Sequence, residues 1–300
     1  MADPKEYYGG FFWLAAISFI VPLFVGYRAF DKVSPKIRPE PDPDVSGVCN
    51  ELWDYLLKNY VENGLVDYKG IKKENLFDVY LRELGSADPE RLPSDEHRLA
   101  LMCNAYNAFV INGVITHKYP AKVTEFSSGG KGFFDIKEHI FAGRTLSLNE
   151  LEHEIIRPRF KEPRVHVALV CAARSCPAIR PEAYTGEQLE KQLQDQAELF
   201  ANNETYVRWV ADENRIELSP ILKWYGEDWD EKFPNGGAIQ WLTDLVDSEE
   251  LKAKLQSAIS GEIKTTYAVY DWTLNSQQDP GQSSGGGKTS GFGSGSIPDE

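Results

Sequence analysis

Between Val48 and Asn59 the apolar positions Val48, Leu52, Tyr55 and Leu56 return every three or four residues, which predicts an amphipathic helix. Asn63-Gly64 ends it, and a short segment, Leu65–Tyr68, follows. Ser94, Asp95 and Glu96 open a second helix that runs to about His117 and breaks before Pro120. On that helix Asn104, Asn107 and Ala108 share a face with Leu101, so two amides sit on an apolar stripe and need hydrogen-bond partners if they are buried. Phe133–Phe141 reads as a strand and Gly143-Arg144 as a turn. Ser147 with Glu150 three residues on is a capping box. The helix it opens, Leu148–Ile156, turns Leu148, Leu151 and Ile155 inward and leaves His153 on another face beside Asn149 and Glu150.

Val165, Val167 and Leu169 alternate with His166, Ala168 and Val170, the pattern of a buried strand with His166 at its middle. Pro177 directly after Cys176 suits the first position of a helical turn capped by Ser175 or Cys176. A helix over Glu187–Asn202 comes next, then strands Val207–Val210 and Arg215–Leu218 around the polar turn Ala211–Asn214. Ser219-Pro220 starts a helical turn bearing Trp224 and Tyr225, aromatics suited to core and lid packing. Asn235–Ile259 carries the stripe Ile239, Leu242, Leu245, Val246 of a last helix. Helices and short strands alternating in this irregular way predict an α+β fold, a single compact domain with a small mixed or antiparallel sheet packed by helices.

The ends of the chain have a different character. Phe11–Gly26 is an apolar run in which Ser18 alone is polar, extended by Tyr27, Ala29 and Phe30 around Arg28, and it reads as one uncleaved transmembrane helix. Ser34–Asp44 holds four prolines and forms an extended spacer. The Gly- and Ser-rich stretch Gln277–Glu300 reads as a disordered tail. The chain thus divides into an anchor (1–33), a linker (34–47), a domain (48–275) and a tail (276–300). Arg28, Lys32, Lys36 and Arg38 follow the apolar run and Lys5 alone precedes it, which by charge places the domain on the cytoplasmic side.

A net charge of −14 makes phosphate backbones poor partners, so nucleic-acid binding is excluded. The four cysteines, Cys49, Cys103, Cys171 and Cys176, contain no CxxC pair and no zinc spacing, and nothing in the chain calls for a metal or a cofactor. The chemistry concentrates in RVHVALVCAARSCPAIR (Arg164–Arg180), where an apolar run delivers a histidine and two thiols into a short loop. A thiol at a helix start is poised for reaction, whereas a free cysteine elsewhere packs as a small hydrophobe, and spacing leaves both readings open for Cys176.

This segment, with LMCNAYNAFVINGV (Leu101–Val114), GFFD (Gly132–Asp135), AGRTLSLNELEHEIIRP (Ala142–Pro158), LSPILKWYGEDW (Leu218–Trp229) and YDWTLN (Tyr270–Asn275), resembles the domain of unknown function 547 family over roughly residues 48–275. The resemblance implies an α+β domain in which three blocks recur, here on Asn104, Tyr106, Asn107 and Ala108, on Leu151, Glu152 and His153, and on Ser175, Cys176 and Pro177. It makes His153 a candidate where spacing alone reads a surface residue; His97, His117 and His139 lack that support and read as ordinary surface or helix-end residues. It also pulls against the charge rule, because relatives look exported, so the side of the membrane stays open. The family name supplies no reaction.

Two functional readings follow. In the first the protein is a thiol enzyme for hydrolysis or acyl transfer: Cys176 is the nucleophile, His166 or His153 the base and acid, Asn104 the orienter or oxyanion donor, and Asn107 and Arg174 contact the substrate. In the second it is a non-catalytic, membrane-tethered module for a protein or peptide partner, with Cys176 and Asn104 as structural pins. A weaker third is thiol redox through Cys171 and Cys176, whose spacing allows a disulfide if the loop folds back.

Overall fold

The computed structural model describes residues 42–278, so the apolar run Phe11–Gly26, most of the proline-rich spacer and the chain beyond Gln278 lie outside the described residues. Helix α1 (Asn50–Tyr60) buries Leu52 and Leu56 of the expected stripe together with Trp53 and Leu57, and leaves Tyr55 half-buried. Asn63 and Gly64, at φ of 51° and 75°, then turn the chain between β1 (Val61–Glu62) and β2 (Leu65–Val66), the backbone a two-residue hairpin requires. A single turn, α2 (Tyr68–Ile71), precedes α3 (Asn75–Ser86), which packs on α1 through Trp53 and Tyr80 with ring centroids 5.5 Å apart.

Helix α4 (Asp95–Thr116) is the axis of the larger core, and residues around its whole circumference are buried between Leu99 and Val114. A helix apolar on all sides needs packing on all sides. Among the described residues it is the helix long and apolar enough to cross a membrane, yet 89% of that stretch is buried inside the fold. The amides on it behave as backbone surrogates. Asn104 donates to the Tyr184 carbonyl at 2.8 Å and accepts from the Tyr184 N–H at 2.9 Å. Asn107 donates to the Ala168 carbonyl at 3.0 Å and accepts from the Val170 N–H at 2.9 Å.

Those last two bonds explain a departure from the sequence reading. Val165–Val170 is not a strand: Pro163–Val167 is a 3-10 turn in which the Arg164 N–H is met by the Glu162 side chain, and the chain beyond it is irregular. The alternation that reads as a strand reflects burial from several sides, because Val165, His166, Val167 and Ala168 are all buried. Pro177 starts no helix either; the chain after Cys176 is irregular. The strand expected over Phe133–Phe141 is confined to its end, β5 (His139–Phe141), which pairs with β6 (Arg144–Leu146) after a small hairpin of β3 (Ser127–Ser128) and β4 (Lys131–Gly132). Phe133 instead lies against α4, so close that a Cβ on Gly113 would stand 2.8 Å from its ring.

The capping box is present: Glu150 N–H reaches Ser147 Oγ at 3.1 Å and Ser147 N–H reaches Glu150 at 3.0 Å. What it starts is a π-helix, Glu150–Ile156, that tightens into α5 (Arg157–Phe160). The wider turn changes which residues face inward. Leu151 and Ile156, five apart, are fully buried where α-helical spacing points to Ile155, and Glu152 turns into the protein.

The second core surrounds Phe200, Trp229 and Trp241. It is built from α6 (Leu189–Ala201), α7 (Ile221–Trp224), α8 (Gly226–Lys232) and a mixed sheet in which β8 (Arg215–Leu218) pairs antiparallel with β7 (Val207–Val210) and parallel with β9 (Lys264–Tyr267). The helix expected over Asn235–Ile259 is two, α9 (Gly237–Thr243) and α10 (Glu249–Ile259), because Ser248 caps the second through the Leu251 N–H. After β9 the chain Tyr270–Gln278 runs back across the larger core as a strap, with bridges from Thr273 to Lys122, Leu274 to Ala173 and Ser276 to Val66. Gln277 bonds Val66, Tyr60 and Leu65, so the ordered chain passes the boundary expected after Asn275.

His139 is not a surface residue. It is buried, stacked on Phe109 at 5.0 Å, without a hydrogen bond on either ring nitrogen, and the carboxylate of Glu138 comes no nearer than 4.0 Å. Burial, with the nearby His117, pulls its pKa from 6.5 down to about 4. The unfolded chain therefore binds more protons between those values, and stability falls as pH drops through the window, by up to about 3 kcal/mol. Urea unfolding at pH 7 and pH 4 should show this loss in the wild type and a loss smaller by about that amount in His139→Leu; equal losses in both would refute the assignment.

Candidate functional site

The loop Cys171–Cys176 is held from behind by the strap. Arg174 N–H bonds the Thr273 carbonyl at 2.9 Å, Asn275 N–H bonds the Ala172 carbonyl at 2.9 Å, and Asp271 N–H bonds Ser175 Oγ at 2.8 Å. Ala172 takes the left-handed conformation, φ 60°, a sparsely populated state for a residue with a Cβ. The turn it makes lets the Ala173 N–H face the Cys171 sulfur. Cys176 closes the loop, its Sγ accepting the Cys171 N–H at 2.9 Å and its carbonyl accepting Tyr206 Oη at 2.9 Å.

Both sulfurs line a cavity of about 210 Å³ between the two cores. Its aromatic wall comes from Phe133, Phe134, Trp224, Tyr225, Tyr270 and Trp272, and its polar groups from Tyr106, Asp135, Asn149, Glu152, His153, Arg157 and His166. Trp224, Tyr270 and Trp272 pack on one another with centroids 4.6–5.9 Å apart, which ties the wall to the strap. An outer groove lined by Lys161, Glu231 and Lys232 shares His153 and Arg157 with the cavity.

The two thiols differ. Cys176 is 5% exposed, and burial, then its hydrogen bond to Cys171 and that neighbour's charge, push its pKa well up. Cys171 is half-buried. Burial opposes its ionisation too, but the Cys176 thiol, Tyr270 Oη at 3.1 Å and the Ala173 N–H all donate to it and bring its pKa below the ordinary value. Of the two thiols, Cys171 is the one whose ionisation the surroundings favour.

A chain of charges faces them. Arg157 grips Asp228 with two bonds, Nε to Oδ2 at 2.7 Å and Nη2 to Oδ1 at 2.9 Å, and Asp228 accepts the His166 Nε2–H at 2.7 Å. Burial would raise the Asp228 carboxyl, but these donors hold it well below the usual carboxylate range. Because the carboxylate can only accept, Nε2 carries the proton; burial favours the neutral imidazole, against the pull of Asp228 and Glu152, and leaves Nδ1 as a lone-pair acceptor. Nδ1 has no hydrogen-bond partner and stands 3.8 Å from Glu152 Oε1. Tyr225 stacks on the His166 ring at 3.8 Å and fixes its plane. Tyr106 and Tyr225 line the cavity with Glu152, and His153 Nδ1 lies 3.0 Å from Arg157. No group of three or more His, Cys, Asp or Glu side chains among the described residues is disposed to hold a metal ion.

Of the residues singled out in the sequence, the structure brings Cys176, His166 and His153 to this cavity. Asn104 and Asn107 do not line it; their amides are taken up by the loop backbones described above. Arg174 is exposed and does not line the cavity. Cys171 was singled out only as a redox partner of Cys176, and Glu152, Tyr106, Arg157, Tyr225, Asp228 and Tyr270 were missed as site residues, although each lies in or beside one of the quoted blocks.

Residues 89–201 match the family model described as protein of unknown function, DUF547. Over that stretch the chain is similar to the DUF547 family. The matched stretch is shorter than the 48–275 read from the sequence, and it supplies Tyr106, the π-helix and both cavity thiols, while Asp228, Tyr225 and the strap reach the same cavity from beyond it. No curated protein and no solved structure matches the chain.

The Tyr270 hydroxyl is one of three donors on Cys171. Its removal in Tyr270→Phe should raise the pH midpoint for alkylation of Cys171 by about one unit, since a hydrogen bond to a charged group is worth about 1.5–3 kcal/mol. The rate of carbamidomethylation followed by peptide mass spectrometry between pH 5 and 10 checks this; an unmoved midpoint means that the contact does not tune the thiol.

Proposed function

We propose that the DUF547 cavity performs cysteine-dependent acyl transfer or hydrolysis, with Cys171 rather than Cys176 as the nucleophile. One observation carries the reading: a half-buried sulfur supplied with three donors shares a cavity with a histidine that a carboxylate orients and whose free nitrogen is an acceptor. These are the parts of nucleophilic catalysis, an activated thiol and a base held by a third group. Cys171 Sγ attacks the carbonyl carbon of an ester or amide, and the bond to the leaving group breaks as that group takes a proton from water. In the second half water attacks the thioester, His166 Nδ1 accepts its proton, the C–S bond breaks and the thiolate is restored. Asp228, Arg157 and Tyr225 position His166 in this scheme. Asn104 and Asn107 shape the loop without touching substrate.

Incubation with p-nitrophenyl acetate should leave an acetyl group on the Cys171 peptide, found by mass spectrometry. Cys171→Ser should abolish the adduct, and His166→Ala should slow its hydrolysis by about 10²-fold or more. Acetylation at Cys176, or none above the level of Cys49 and Cys103, would overturn the reading.

The apolar run Phe11–Gly26 supports a second part of the proposal, a single-pass membrane anchor from which the proline-rich spacer holds the domain off the bilayer. The full chain should stay in the pellet through carbonate extraction, and the chain from Val45 onward should be soluble and folded. Extraction of the full chain into the supernatant would remove the anchor from the account.

A further inference from the structure

We propose that the cavity binds a ligand bearing a positively charged amine, seated on Glu152 with its carbon chain along the aromatic wall. Glu152 is 4% exposed, and among the described residues no lysine or arginine nitrogen comes within 4.0 Å of it. Arg157, which lines the same cavity, is committed to Asp228 through Nε and Nη2 and to His153 through Nη1. Tyr106 and Tyr225, which line the cavity with Glu152, bring hydroxyls and no charge.

Beside it His166, 3% exposed, offers the unpartnered Nδ1 as a second acceptor at 3.8 Å, and both residues line the cavity. Two buried acceptors side by side suit a group with several hydrogens and a positive charge, and an ammonium supplies three donors on one atom. Asp135 adds a second carboxylate to the lining. Trp224, Tyr225 and Trp272 present the aromatic surface that cations prefer and that a methylene chain can pack on. An anionic ligand would meet Glu152, Asp135 and the Cys171 sulfur instead, and a neutral one would leave a buried carboxylate without a counter-charge.

The site also names a second substrate, in a step that rests on Cys171 being the nucleophile. An amine bound as ammonium gives one proton to His166 Nδ1 and attacks the Cys171 thioester as the free base. The C–N bond forms, the C–S bond breaks, Sγ leaves as thiolate, and the second proton passes to Glu152. The product is an amide, so the protein transfers its acyl group to an amine in preference to water.

The full chain, titrated by calorimetry, should bind n-pentylammonium at least tenfold more tightly than n-pentanol or pentanoate, and Glu152→Gln should remove that advantage. Pentanol or pentanoate binding as tightly, or an unchanged Glu152→Gln, would overturn the site. Should Glu152→Gln fail to fold, protection decides with the wild type: pentylammonium must slow iodoacetamide at Cys171 where pentanol does not. The acceptor role has its own readout. With p-nitrophenyl acetate and pentylamine the wild type should yield N-pentylacetamide in excess over enzymatic acetate, and acetate alone would overturn that role. Cys171→Ser should keep ammonium binding and lose amide formation, so a failed thiol and a failed amine site give different results.

Discussion

The peptide groups of Val167–Cys176 are buried beside no strand that could pair with them along their length, and the rest of the architecture is arranged around satisfying them. Each unpaired group in such a place costs about 1–3 kcal/mol. Gln196 from α6 reaches the Val167 carbonyl at 3.2 Å, and Asn107 from α4 takes Ala168 and Val170. The strap takes the Ala172 carbonyl and the Arg174 N–H, the Cys176 N–H takes the Ala173 carbonyl, Tyr206 takes the Cys176 carbonyl, and the Cys176 sulfur takes the Cys171 N–H. Partners thus come from both cores and from three distant parts of the chain. A loop held from so many sides cannot shift one residue without stranding several polar groups, and this is why two thiols can be kept at fixed positions without regular secondary structure around them.

The charged groups opposite are subject to the same constraint. His166 stands between Val165 of the larger core and Val167 of the second, Asp228 directly precedes Trp229 of the second, and neither could be buried alone without neutralising. Arg157 makes the burial tolerable for Asp228 and is itself brought there by the helix whose widened turn carries Glu152 inward. A regular α-helix from Leu148 would bury Ile155 in place of Ile156 and displace Glu152 relative to Leu151. The π-turn therefore sets the spacing between carboxylate and imidazole, and Tyr225 stacked on the His166 ring preserves it.

Much of this was legible in the sequence and some could not be. The capping box at Ser147, the turn at Asn63-Gly64, the strand pair around Ala211–Asn214 and the need of Asn104 and Asn107 for partners rest on local rules, and each has its counterpart in the structure. Val165–Val170 misleads because alternation cannot distinguish a strand from an irregular segment that is enclosed on several sides. The π-register leaves no periodic signature in seven residues. β9 is polar on most positions and pairs only because β8 offers an edge, so nothing in Lys264–Tyr267 announces it. Asp228 and Tyr270 stand far along the chain from the cysteine loop, and their contact with it is a property of the fold. The signal available was compositional: carboxylates and tyrosines crowded into the aromatic blocks Leu218–Trp229 and Tyr270–Asn275.

The choice between the two thiols turns on the same long-range placement. From sequence Cys176 is the more conspicuous, because a proline follows it and a helix start was expected there. No helix forms, so the dipole that would have favoured its thiolate is missing, and its sulfur already accepts a backbone N–H inside a buried turn. Two sulfurs in hydrogen-bond contact cannot both ionise, since the second charge would meet the first in a place with little water. The charge settles where more donors converge. Cys171 has Tyr270 from the strap, the Cys176 thiol, and a backbone N–H turned toward it by the left-handed Ala172. The conformational cost at Ala172 is about 1–2 kcal/mol, comparable to what one hydrogen bond to an anion returns. Strain at a single residue is thereby balanced by the stabilised charge beside it, and the reactive sulfur is selected by the loop's backbone and not by its neighbours in sequence.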